Sequence, residues 1–378
     1  MSGASPGILL TLLAFLACIG PLVFIHELGH YFAGRLFGVK ADAFSIGFGR
    51  EILGWTDSRG TRWKVGWMPM GGYVKFAGDM NPASTPDDAW LALPPEERAK
   101  TFQAKPLWQR FLIVLAGPAT NFLFAILVFV GIFATFGEPR TPAVIAGVQP
   151  GSVAALSGFR PGDRIVSIGG RTVERFEDVV QIVSIRPNEA LEFRLERAGR
   201  PLTVLAAPAP ERLRDRFGNE TVIGRLGVAA GGGEMVALEP WQLVGAAVRH
   251  TADVVRMMVD TMAQVIRGTR SVRELGGPLK IAQYSGQQAV MGGFDFLLFM
   301  TMISINLGFI NLLPVPLLDG GHLFFYLIEG VRRRPLTPRV QEWAFRSGLA
   351  LLLTLMIFVT FNDLASFGVW RKLAGLIG

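Results

Sequence analysis

The sequence is short of cysteine and short of charge. Its one cysteine, Cys18, stands alone in 378 residues. That excludes an intramolecular disulfide and any multi-cysteine zinc site, leaving histidine and carboxylate as the side chains able to hold a metal. Charged residues make up 18% of the chain, against roughly a quarter in a soluble domain. The shortfall falls in four apolar runs, about 7–37, 111–136, 294–315 and 347–361. The first exceeds the ~20 residues that cross a hydrocarbon core. It has neither a basic leader nor a clear small-residue cleavage site, so a removable signal peptide is not expected. The net charge of +7 comes without an Arg/Lys stripe interleaved with aromatics. Nucleic acid is therefore set aside as a partner, and the surplus is read as basic loops beside anionic membrane lipid.

The distribution of those positive charges predicts the orientation. No Lys or Arg precedes the first span, many follow it between Arg35 and Arg110, and Arg332, Arg333, Arg334 and Arg339 lie between the third and fourth. Both loops should be cytoplasmic, which places both termini and residues 137–293 outside. The expected divisions are a first transmembrane helix (1–37), a cytoplasmic loop (38–106) and a second transmembrane helix (107–136). An outer domain (137–231), an amphipathic helical segment along the membrane surface (232–293), a third transmembrane segment (294–321), and a basic loop with the fourth helix (322–378) follow. Asp363, near the end of the fourth span, reads as interfacial.

The outer segment has a soluble pattern. Strands are expected at 143–148, 164–168, 171–173 and 191–197, with helices at 153–157 and 176–185 and a Gly169-Gly170 turn. A late strand is expected at 223–228, and Gly231-Gly232-Gly233 reads as a linker leading out. The order of residues 150–173 resembles a bacterial PDZ domain, present in one copy. Residues 241–266 have helical periodicity with an apolar face.

Within the first span lies His26-Glu27-Leu28-Gly29-His30. The i, i+4 spacing puts both imidazoles on one helix face, as zinc binding requires, with Glu27 beside them to act on water. Ionisable side chains inside a span are costly and mark functional sites by default; the plainer reading is a polar helix end. A catalytic zinc takes a third protein ligand. The third span breaks at Leu313-Pro314-Val315-Pro316, and broken backbone at membrane depth is tolerated where it is buried or lines a wet cavity. Asp319 follows the break beside Gly320 and Gly321, and is the third-ligand candidate; its alternative role is to cap a helix starting there. His322 has three roles open to it: ligand, support for a ligand, or interfacial side chain. His250 is assigned none.

These residues together resemble the site-2 proteases, and among them the RseP-like regulators of sigma-factor proteolysis. The likeness rests on the first-span motif, on Asn311 to Gly321 in the third segment, on Gly117-Pro118-Ala119-Thr120-Asn121 in the second span, and on the PDZ domain between them. It implies a polytopic α-helical membrane protein of four transmembrane helices, with a cytoplasmic membrane-reentrant β-hairpin and an inserted extracytoplasmic PDZ (α+β) domain. It also implies an intramembrane zinc metalloendopeptidase with one Zn2+ per chain, held by His26, His30 and Asp319, with Glu27 as general base or acid. Asn306 and Asn311 match positions that engage substrate backbone; the alternative for each is an interhelical hydrogen bond. Asn121 has a hydrogen bond inside the bundle that supports the active site as one reading, and is taken as structural.

Residues 44–49, 61–67 and 68–76 resemble the family's reentrant hairpin, whose edge could accept an unwound substrate; a cytoplasmic β-ribbon at the lipid interface is the alternative. The implied substrates are single-span proteins such as anti-sigma factors trimmed by an upstream site-1 protease, or remnant signal peptides, in a bacterial inner membrane. The tandem PDZ domains of the best-known relatives are a single copy here, so the domain's role, size filter or recruitment, stays open. Two rivals predict different behaviour. A non-catalytic PDZ scaffold would leave Glu27 and Asp319 dispensable. A metal or ion transporter would need a continuous polar path, which spans two and four scarcely offer.

Overall fold

The structure is a computed structural model that describes residues 7–78, 93–214, 220–268 and 276–366. Parts of the expected segments 1–37, 38–106, 137–231, 232–293 and 322–378 lie outside the described residues. The chain forms two compact units, Met1–Leu127 with Gly276–Asp363, and Val128–Leu275 with Leu364–Gly378.

The first unit begins with helix α1 (Ile8–Leu36), 29 residues long and so about 43 Å at 1.5 Å per residue. Strands β1 (Ala41–Thr56) and β2 (Arg62–Phe76) follow, then helix α2 (Leu107–Phe136). β1 and β2 are each bent, and the result is more than the expected hairpin. Phe44 pairs with both Val74 and Trp63, while Trp55 also pairs with Trp63. The sheet therefore has four segments in the order 51–56, 62–66, 41–46 and 72–76. Among the described residues, 72–76 pairs on one side only. Gly47 makes the bend possible: its φ is +84°, and a Cβ there would strike the carbonyls of Gly66 and Met68. The sheet rests on α1 through aromatic contacts. Phe44 stacks on Trp63 at 4.4 Å, and Tyr31 meets Trp63 edge-on at 5.2 Å.

The second unit contains β3 (Glu138–Arg140), β4 (Ile145–Val148), α3 (Val153–Leu156), β5 (Arg164–Ile168), β6 (Arg171–Thr172), α4 (Phe176–Ser184), β7 (Leu191–Arg197) and β8 (Arg200–Ala206). It continues with β9 (Ala209–Arg214), β10 (Glu220–Arg225), β11 (Val228–Ala230), β12 (Glu234–Val236) and α5 (Pro240–Ile266). β6, β5, β7 and β8 form one antiparallel sheet, and β4–β11, β9–β10 and β3–β12 form pairs. Ile145, Phe159, Ile165, Val179, Phe193 and Leu195 fill the core. The α3, β5, α4 and β7 assignments follow the sequence pattern closely, and this mixed fold is PDZ-like. The expected late strand at 223–228 is instead two, β10 and β11, separated at Leu226 and Gly227. The glycines 231–233 are not the end of the unit, because β12 just beyond them pairs back to β3. A three-residue strand is too short to show a period of two. α5 is tied to the unit through its polar face: Arg171 and Arg186 both meet Asp260, and Arg175 meets Asp253 at 3.6 Å.

The remainder of the first unit is helical: α6 (Pro278–Met291), α7 (Gly293–Asn311), α8 (Asp319–Arg332) and α9 (Pro338–Ser366). The expected segment 232–293 thus divides, with α5 in one unit and α6 in the other. Gly286 of α6 packs on Thr11 of α1 so tightly that a Cβ would crowd it. Asp363 is fully buried. It accepts from the backbone N–H groups of Gly277 and Lys280 at 3.1 and 3.2 Å, so a carboxylate from α9 caps the N-terminus of α6. The third segment breaks around the two prolines, as the sequence indicates. α7 stops at Asn311, a turn occupies 312–318, and α8 starts at Asp319. Among the described residues, four helices are long and apolar enough to cross a membrane: Ile8–Leu36, Leu107–Phe136, Gly293–Asn311 and Arg339–Leu364. With exposed leucines and phenylalanines along them, they make this a membrane protein carrying a PDZ-like domain.

In that domain, Asp163 is wholly buried and accepts from Arg197 Nε at 2.7 Å and from the Arg160 backbone N–H at 2.8 Å. Hydrogen bonds from Arg197 hold its carboxyl below the ordinary carboxylate range. Its stabilising contribution is therefore present above the unfolded-state value of about 3.9 and is lost as pH falls below it. We expect Asp163→Asn to weaken the domain by about 2 kcal/mol at neutral pH and to flatten this acid loss. Hydrogen exchange of the β5 and β7 amides in the full-length protein reads both effects.

Candidate metal centre

One helical turn separates His26 from His30, and α1 brings their Nε2 atoms to 3.3 Å. Asp319, the first residue of α8, reaches them from the other side. Its Oδ2 lies 3.1 Å from His26 Nε2 and 3.4 Å from His30 Nε2. Asp319 is therefore the first residue of the helix and not its cap, which is Leu318 without a side-chain cap bond, and it faces the histidines. The three form the His/Cys/Asp/Glu cluster of metal-binding spacing found among the described residues.

The separations carry chemical information. Donor atoms about 2.0–2.1 Å from a tetrahedral zinc stand roughly 3.3–3.4 Å apart. Three edges of 3.1, 3.3 and 3.4 Å fit that figure. The proton positions fit as well. His30 Nδ1 lies 2.9 Å from the carbonyl oxygen of Ile113. A carbonyl only accepts, so the imidazole proton sits on Nδ1 and the Nε2 lone pair faces inward. Asp319 Oδ2 is buried and has no hydrogen-bond partner among the described residues. With the imidazole protons on the outer nitrogens, lone pairs would converge here, and a cation at their centre would offset their repulsion.

The approach of α2 makes the arrangement possible. Gly29 of α1 faces the carbonyl of Ala116, and Gly117 of α2 faces the ring of His30; at either position a Cβ would overlap its neighbour. Thr120 Oγ1 donates to the Ile25 carbonyl at 3.0 Å and ties the same turn to α1. The tight turn before α8 is built with equal economy. Gly320 and Gly321 lie against the backbone of 312–316 with no room for a side chain, and Leu317 has φ +85°. A leucine in that region is strained and is held there by the structure around it.

Around the three donor atoms opens a cavity of about 760 Å³, lined among others by Glu27, Tyr73, Asn311, Leu317 and His322. Glu27 is buried. Gly72, on the one-sided strand 72–76, presses on its Cγ at a separation that leaves no place for a Cβ. Asn311 thus reaches the cavity. Asn306, more than one turn earlier on α7, is half-buried and is not among the lining residues. His322 lies one turn beyond Asp319 with its ring 5.2 Å from that of Phe345, outside the three-donor cluster. His250 lies in the second unit, edge-on to Phe129 of the same unit at 4.5 Å. The contact made by Gly117 escapes a reading by motif. Asn121, for which a hydrogen bond supporting the site is one reading of the sequence, has its side-chain amide 3.1 Å from His26 Nδ1. Both sit in the second-span motif, but their roles depend on the α1–α2 register, which spacing along one helix does not reveal.

Residues 14–355 match the family model described as Peptidase family M50. A protein of Agrobacterium fabrum is 42% identical over 357 residues, covering 93% of this chain and 95% of its own length; its name places it provisionally among the zinc metalloproteases. The Caulobacter vibrioides protein named Metalloprotease MmpA is 36% identical over 394 residues, 98% of this chain and 99% of its own. Among solved structures, the PDZ domain of an SdrC-like protein from Listeria monocytogenes covers 24% of this chain and 88% of its own, at 12% identity and a TM-score of 0.19. A likeness that slight carries no argument, and the description of the inserted domain rests on its own strands.

Replacing Gly117 by alanine should drive a methyl group into the His30 ring. We expect bound metal per chain to fall at least tenfold, in line with the loss when ligand-supporting groups are removed. Gly131→Ala in the same helix, where a Cβ meets nothing within 4 Å, should leave metal content unchanged. Metal analysis of the two purified variants checks this.

Proposed function

Because this chain belongs to peptidase family M50, the site-2 proteases, we propose that it is a zinc endopeptidase that cuts single-span proteins within or beside their transmembrane segments. The observation that carries the proposal is the triangle of inward-facing donor atoms from His26, His30 and Asp319, set beside a buried Glu27 and an unpaired strand edge. In this reading the three residues hold one Zn2+. Bound zinc supplies Lewis-acid polarisation of the scissile carbonyl and acidifies the attacking water.

The chain's own groups do the rest. Glu27 takes the proton from that water and returns it to the leaving nitrogen. A transmembrane helix must open before its peptide bond can enter such a site. Strand 72–76 offers backbone hydrogen bonds to an extended segment, by addition of a strand at the edge. Gly72 keeps that edge close to Glu27. We assign Asn311, which both donates and accepts, to the substrate backbone; Asn306, away from the cavity lining, is given no substrate contact.

The exposed side chains Phe48, Ile52, Leu53, Trp55, Trp67 and Met68 on the outer part of the sheet suit immersion in lipid. This supports a membrane-reentrant sheet over a water-exposed ribbon. The charge distribution supports cytoplasmic placement of that sheet, with both termini and the PDZ-like domain on the outer face of a bacterial inner membrane. Anti-sigma factors first trimmed by another protease, or remnant signal peptides, are the substrates in this scheme.

In the PDZ-like domain a groove of about 530 Å³ runs between α4 and β11, lined by Val179, Val183, Leu226 and Val228. Its strand edge and apolar walls suit an extended segment, which favours recruitment over a purely steric filter.

Glu27→Gln keeps the side chain's volume and removes the base. Cleavage of a single-span reporter in membranes should fall by roughly 10²–10⁴-fold, with zinc content unchanged. Equal cleavage by both proteins at matched expression would rule out Glu27 as the general base.

A further inference from the structure

We infer that Asn121 is a positioning residue: its side-chain oxygen accepts the Nδ1–H of His26 and so keeps the His26 Nε2 lone pair turned into the donor triangle. The inference rests on the reading of that triangle as a metal centre, and it concerns how one corner of the triangle is held.

A neutral imidazole carries one proton. For Nε2 to ligate, the proton must be on Nδ1, and an N–H there needs an acceptor. His30 has one in the Ile113 carbonyl. The group facing Nδ1 of His26 is the amide of Asn121, with Nδ2 at 3.1 Å. A half-turn about the last side-chain torsion exchanges the two ends of that amide. With Nδ2 toward the ring, Asn121 can only donate. The His26 proton is then driven to Nε2, into the triangle, and Asn121 Oδ1 is left buried without a partner among the described residues. With Oδ1 toward the ring, the same contact becomes an Nδ1–H···O bond and the inward lone pair is restored. The two states differ in where one proton lies, and one of them leaves His26 able to bind a cation.

The position is built to hold this contact. Asn121 is fully buried. Its backbone carbonyl accepts from Ser304 Oγ of α7 at 2.9 Å, and the preceding Thr120 is tied to α1. The residue is thus fixed between the helix that carries the histidines and the helix that leads to Asp319. Its backbone bond to Ser304 does not depend on the side chain, so substitution can remove the amide while leaving that link in place.

The test uses full-length protein in detergent micelles. Zinc affinity is measured by competition with a chromophoric chelator, beside thermal melting, for wild type, Asn121→Asp, Asn121→Leu and His26→Ala. A carboxylate can accept from Nδ1–H but cannot donate to it; leucine can do neither. Asn121→Asp should bind zinc within about threefold of wild type or more tightly, and Asn121→Leu about 10–100-fold more weakly, as for other groups that orient a metal-bound histidine. Wild-type affinity in Asn121→Leu would overturn the inference. So would a loss of about tenfold or more in Asn121→Asp, since it would mean that the amide donates. If the leucine variant does not fold, the aspartate variant decides alone by the same criterion. If wild type binds no zinc, or His26→Ala binds it equally well, the metal centre itself fails, and the inference falls with it.

Discussion

Three donor atoms, two imidazole nitrogens and a carboxylate oxygen, face one another within 3.4 Å in a buried setting. Left alone, that arrangement is electrostatically unfavourable, and most of the surrounding architecture works to maintain it. Ile113 fixes the proton of one imidazole on its outer nitrogen. Glycines at 29 and 117 let α1 and α2 approach until the Ile113 carbonyl and the Asn121 amide reach the histidines. The turn 312–318, with glycines packed on its backbone and a strained Leu317, delivers Asp319 as the first residue of a new helix. Such costs persist in a fold when something bound offsets them, and a divalent cation is the ligand whose chemistry matches two imidazoles and a carboxylate.

Beside the donor atoms, the protein places two things that a peptide hydrolase inside a membrane would need. Glu27 adjoins them, buried and on the same helix. Among the described residues, the strand 72–76 leaves one edge unpaired over the cavity, where Gly72 allows the backbone to come within contact of Glu27. A membrane-spanning helix has its backbone groups satisfied internally, so opening it for hydrolysis requires new partners for those groups. An unpaired strand edge supplies them without adding a charge to the hydrocarbon region.

What could be read in the sequence was what depends on neighbours along the chain. The i, i+4 histidines needed one helix and nothing else. The broken run at Pro314 and Pro316 marked the irregular backbone, and the alternation in 164–168 and 191–197 marked the core strands of the inserted domain. Features that depend on contacts between distant segments were less accessible. β12 is three residues long and exists because β3 is there to pair with it. The cap that Asp363 provides could not be read, because its partners, the Gly277 and Lys280 amides, are more than eighty residues away in sequence. The bent sheet similarly read as a hairpin, since the pairing of 41–46 on both sides leaves no trace in local periodicity. Of the two asparagines that the motif offered, Asn311 lines the cavity.

The central claim is that His26, His30 and Asp319 hold a metal through two nitrogens and one oxygen. X-ray absorption at the zinc edge of the full-length protein, loaded with one equivalent of zinc, tests it most directly. The account predicts a four-coordinate first shell of nitrogen and oxygen at about 2.0–2.1 Å, with the outer-shell scattering of two imidazoles, and loss of that signature in His30→Ala. A sulfur-containing shell, a six-coordinate shell of oxygens alone, or an unchanged spectrum in His30→Ala would contradict it.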